Sequence, residues 1–161
     1  MSALILGGCG GNPGGDDPTR LPGALTAVSY SRTVGMVWGD NYSVRVTSQG
    51  IEAIEYFDEQ DSEYRELENV SLPEERWQQV EAAVLEAWPG LTEFRPRKKT
   101  LWDWVFAGVE PLDGGDSTKL SLAWETPEGI VSMEYNWKHD DPKVQQLFTL
   151  LTAFQNDVKG E

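Results

Sequence analysis

The feature that most constrains this chain is a change of hydrophobic period that occurs twice. Residues 42–48, YSVRVTS, place Tyr42, Val44 and Val46 on one side and Ser43, Arg45 and Thr47 on the other. That is period two, the pattern of a half-buried antiparallel strand. Gln49-Gly50 supplies a turn, and residues 51–57, IEAIEYF, return as a strand on the strength of that turn and of Ile51, Tyr56 and Phe57. After an acidic stretch the period becomes helical: Trp77, Val80, Val84 and Trp88 form one stripe, stopped by Pro89-Gly90. The second half repeats the change. Leu120, Leu122 and Trp124 alternate inward, Pro127-Glu128-Gly129 turns the chain, and Val131, Met133, Tyr135 and Trp137 share the returning face. Asp140-Asp141-Pro142 then caps a helix with the stripe Val144, Leu147, Phe148, Leu151, Phe154 and Val158.

Each half holds a hairpin with one apolar face and a helix with one apolar stripe. The economical arrangement is α+β: an antiparallel sheet with two helices packed on one face, in the order strands, helix, strands, helix. Residues 25–32, LTAVSYSR, add an earlier strand, and Gly35 to Asn41 reads as its loop. Residues 58–70 read as an acidic loop, and Ser71-Leu72-Pro73-Glu74 as a capping box. Leu101 to Val109 reads as an aromatic strand, and Asp113-Gly114-Gly115-Asp116 as a turn. The chain has 161 residues, enough for one domain with a substantial core, assigned to residues 21–161.

The amino terminus carries an address. Its single Cys, Cys9, follows Leu6-Gly7-Gly8. An aliphatic residue, two small residues and Cys resembles the lipobox of bacterial lipoproteins. The resemblance implies a diacylglyceryl group on the Cys9 thiol, cleavage before Cys9, and a protein held on the extracytoplasmic face of the cell membrane. Residues 1–8 then read as the remnant of a signal peptide, whose usual basic and longer apolar parts would precede Met1. Residues 9–20, including GGNPGGDDPT, read as a disordered Gly/Asp/Pro tether. The second half, PLDGGDSTKLSLAWETPEG followed by NWKHDDP and a helix, also resembles small secreted domains of uncharacterised function in Gram-positive gut bacteria. That resemblance implies a fold and an address, and no catalytic residues.

Composition narrows the partners. With 13 Lys and Arg against 27 Asp and Glu, the formal charge is -14, which repels a phosphate backbone and argues against nucleic acid. One His and one Cys leave no His/Cys zinc cage, and no cofactor motif is present.

Other candidate sites have plainer readings beside them. His139, next to Asp140 and Asp141, has the chemistry of an acid or base, but Ser132 is the nearest upstream Ser and lacks a nucleophile motif. A solvent-facing loop explains it. Glu52, Glu55, Asp58, Glu59, Asp61, Glu63, Glu66 and Glu68 lack calcium-loop spacing and read as a solvated acidic face. Arg95, Arg97, Lys98 and Lys99 form a basic cluster suited to anionic lipid or to neutralising that acidic run. Of the Trp residues, Trp77, Trp88, Trp124 and Trp137 are assigned to the core. Trp38, Trp102 and Trp104 are the candidates for contact with a ligand or partner, such as an envelope protein or glycan, or for covering the sheet.

Three functions fit. The first is a lipid-anchored extracytoplasmic binding or interaction domain without catalysis. The second is a cytosolic acidic adaptor or inhibitor. The third is a small cell-wall or glycan hydrolase using paired carboxylates.

Overall fold

A computed structural model describes residues 21–34, 41–94 and 117–159. Seven described strands form one antiparallel sheet: β1 (Ala24–Thr33), β2 (Tyr42–Thr47), β3 (Gly50–Asp58), β4 (Glu63–Val70), β5 (Leu91–Glu93), β6 (Ser117–Thr126) and β7 (Gly129–Trp137). Their order across the sheet is β4-β3-β2-β1-β6-β7-β5. Helix α1 (Glu74–Ala87) and a 3₁₀ turn (Trp88–Gly90) lie between β4 and β5, and α2 (Pro142–Val158) follows β7. The α+β class expected from the periods is the one observed.

The register explains why one face is apolar. Val28 of β1 lies between Val46 and Leu122, and Tyr30 between Val44 and Leu120. These residues join Trp77, Val80, Val84 and Ala87 of α1 and all six stripe positions of α2 in one buried core. The alternate set, Ser29, Ser31, Ser43, Arg45 and Ser121, faces the other way. Because β4 and β5 stand at opposite edges, α1 carries the chain across the apolar face. Its 14 residues span about 21 Å, against six strand spacings of about 4.8 Å each. The helices run antiparallel: Arg76 near the start of α1 pairs with Asp157 near the end of α2, and Lys143 meets Glu86 at 2.6 Å.

Several local expectations need revision. Residues 63–70 are a strand, not a loop. On this outer strand only Tyr64, Leu67 and Val70 are even half-buried, so the charges that suggested a loop instead mark a sheet edge. Ser71 does not cap α1. Pro73 holds the cap position, its carbonyl accepts from the Arg76 amide at 2.9 Å, and no side chain caps the helix. The weak alternation of β3 has a cause as well. The pairing passes from Ala53 opposite Arg45 to Ile51 opposite Val46, leaving Glu52 as a bulge. Ile51 and Ile54 are three apart and both are buried. The α2 cap is as expected: an Asp141 carboxylate oxygen accepts from the amides of Lys143 at 2.8 Å and Val144 at 3.4 Å.

Candidate functional site

Two strands that begin as partners separate to make the principal cleft. The β6–β7 ladder runs from Thr126 opposite Gly129 to Leu120 opposite Tyr135, and ends there. Beyond that point β6 stays with β1, pairing Lys119, Thr118 and Ser117 with Ser31, Arg32 and Thr33. β7 stays with β5, pairing Asn136 and Trp137 with Thr92 and Leu91. Between the separated segments lies a cleft of about 780 Å³, bordered by Ser117–Leu120 and Glu134–Trp137. That is the size of a small-molecule site.

One wall is aromatic. The Phe148 ring lies 4.9 Å from Trp137 in edge-to-face geometry and 5.0 Å from Tyr30. His139 stands at the rim, its ring 5.9 Å from Trp137. Its carbonyl accepts from the Gln145 side chain at 3.0 Å, which ties the rim to the first turns of α2. Burial raises the Tyr30 phenol above its ordinary value, while the charge of Arg32 pulls it back. Burial likewise raises Tyr135, against a hydrogen bond of 3.0 Å donated by the Trp124 indole.

Three of the four described arginines are engaged by carboxylates. Arg45 pairs with Glu52, Arg65 with Asp58 and Asp61, Arg76 with Asp157, and Lys143 with Glu86. Among the described residues Arg32, Lys119, Lys138 and Lys159 have no carboxylate partner, and the first two border the cleft. Register places them on opposite faces of the sheet, since Arg32 is paired with Thr118 and Lys119 with Ser31.

Of the residues singled out from sequence, Cys9, Trp38, Trp102, Trp104, the Arg95 to Lys99 cluster, the Leu101 to Val109 segment and the Asp113 to Asp116 turn lie outside the described residues, as does the tether. Trp77 and Trp124 are buried, whereas Trp88 and Trp137 are partly so. Trp137 has a second role, since it borders the cleft. His139 is exposed, and Ser132, opposite Ala123 in β7, is not brought to it. The acidic residues of β3 and β4 are mostly exposed, and Glu52, Asp58 and Asp61 are engaged by arginines. Among the described residues no three of His, Cys, Asp and Glu are placed to hold a metal ion, and no helix is long and apolar enough to cross a membrane.

Arg32 was overlooked by sequence reasoning. Its signal is that Val28, Tyr30 and Arg32 alternate onto the same face, so a cation stands where an apolar side chain is expected. Fold and cleft together describe an α+β protein with a ligand-sized opening in a split sheet. Compared with known proteins, the chain matches no protein-family model, no curated protein and no solved structure.

Proposed function

We propose that this chain is a lipid-anchored extracytoplasmic binding domain without catalytic activity, tethered through Cys9 and taking its ligand in the cleft between β6 and β7. The observation that carries the binding role is the cleft itself, with its aromatic wall and two unpaired cations. The anchor rests on Leu6-Gly7-Gly8-Cys9 and the Gly/Asp/Pro tract behind it. Two acylation signals or a full diacylglyceryl group hold a protein on a bilayer far better than one short chain. Metabolic labelling with an alkyne fatty acid tests it: the protein should label and sediment with membranes, and Cys9→Ser should abolish both. Equal labelling and sedimentation of the Cys9→Ser protein would refute the anchor.

A second reading, an acidic adaptor that docks a basic partner, is favoured by one arrangement. Glu55 stands directly opposite Glu66 on the face of the sheet away from the helices, beside exposed Glu52 and Glu68. Such like-charge pairing lowers stability locally. A basic partner would relieve it.

A further inference from the structure

We propose that the β6–β7 cleft binds an anionic ligand bearing a flat ring, its carboxylate, sulfonate or phosphate group held by Arg32 and its ring laid against Trp137, with Lys119 adding positive potential from the opposite face of the sheet. The assignment rests on reading the cleft as the binding site and adds the chemistry of what it takes.

Charge pairing carries the argument first. Acids outnumber bases 27 to 13, so a surface arginine on this chain readily finds a carboxylate. Arg45, Arg65 and Arg76 each do so. Arg32 is the exception among the described arginines, and it borders the cleft between β6 and β7. Lys119 adds a second cation from the opposite face of the sheet. A guanidinium offers parallel N–H donors to a planar carboxylate, or to two oxygens of a phosphate or sulfonate. Against these two cations the cleft border carries one carboxylate, Glu134, so its sign is opposite to that of the molecule as a whole, which bears -14, and it favours anionic over cationic ligands.

The aromatic wall supplies the rest. Trp137 is held edge-to-face by Phe148 and His139, at interplanar angles of 83° and 69°. Its orientation is therefore set by packing before any ligand arrives, and a ring fixed in advance costs little entropy on binding. The separated strands add polar groups along both sides: the Ser117 and Thr118 hydroxyls on β6 and the Asn136 amide on β7.

A matched pair of fluorescent probes tests both halves of the proposal. 8-Anilinonaphthalene-1-sulfonate carries a naphthalene ring and a sulfonate, while N-phenyl-1-naphthylamine has the same rings and no charge. The native protein should bind the sulfonate probe more tightly, with amide shifts centred on Ser117–Leu120 and Asn136–Trp137. Arg32→Gln should weaken the sulfonate probe about tenfold or more and leave the neutral probe unchanged. Arg32→Lys should restore part of the loss, and Arg65→Gln, remote from the cleft, should change neither. Trp137→Leu should weaken both probes. Melting temperatures of all variants establish that they are folded. If Arg32→Gln leaves the sulfonate probe unaffected, the anion assignment falls while the cleft remains a binding site. Unchanged binding in Trp137→Leu overturns the ring assignment. Should neither probe bind the native protein at the cleft, the proposed binding function itself fails.

Discussion

The hairpins on either side of β1 share a turn and differ in nearly everything around it. In one, Thr47-Ser48-Gln49-Gly50 joins β2 to β3, and in the other, Thr126-Pro127-Glu128-Gly129 joins β6 to β7. Thr pairs with Gly across each turn, and the Thr hydroxyl donates to the Gly carbonyl, at 3.4 Å in the first and 2.8 Å in the second. Both glycines have strongly positive φ, +136° at Gly50 and +126° at Gly129. Yet β3 is paired with β4 from Ile51 to Asp58, and Gly50 is buried beneath the start of the β4–α1 connection. β7 pairs with β5 over only three residues, its turn end is open, and Ile130 is 70% exposed. The same local chemistry thus serves a sealed hairpin that stabilises the sheet and an open one that separates into the cleft.

Substituting the two glycines gives the sharpest test of that contrast. A Cβ at Gly50 would collide with the Val70 carbonyl and crowd Ser71 and Leu72, whereas one at Gly129 meets nothing within 4 Å. Gly129→Ala should cost only backbone strain, about 1–3 kcal/mol. Gly50→Ala adds overpacking, and should cost roughly 2–5 kcal/mol in total. Urea midpoints measure both, and equal losses would mean that the burial of the first turn is not as described.

Buried phenols give a second, smaller difference. The Tyr42 hydroxyl, in the sealed hairpin, donates to the Leu151 carbonyl at 2.7 Å. Burial first, then the charges of Tyr30 and Asp157, pushes its ionisation well above the ordinary phenol range. The unfolded chain loses this proton near pH 10 and the folded chain loses it later. Stability is therefore fully present below about pH 10 and declines as pH rises toward the folded value. Tyr42→Phe should flatten that decline, at a cost of about 0.5–1.5 kcal/mol at neutral pH for the lost hydrogen bond, since the Leu151 carbonyl still lies within the helical ladder of α2. Tyr135→Phe, in the open hairpin, should flatten it less. Urea melts at pH 8 and pH 11 read the change.

The smallest effect is electrostatic and confined to the sealed side. Glu66→Lys replaces a like-charge pair with an opposite one across from Glu55, and should stabilise by about 0.2–1 kcal/mol. The gain should shrink in 1 M salt, where the Debye length falls to about 3 Å. A gain that persists in salt would point to packing instead.

What sequence alone determined is whatever local periodicity records. The inward sets of β2, β6 and α2, the Asp141 cap and the α+β class were all legible, because a residue facing a core is apolar at the period of its own backbone. β4 was not legible, since an edge strand with few buried side chains has little period to show. The Glu52 bulge disturbed the alternation of β3 by moving its buried residues to a spacing of three, so that strand was legible from its turn and residue types and not from its period. The cleft was beyond sequence reading for a different reason. It exists because β6 keeps β1 as its neighbour while β7 keeps β5, and which strand a residue pairs with is settled by elements far away in the chain. Arg32 and Trp137 announce a cation and a ring, but only the tertiary pairing sets them on the same opening.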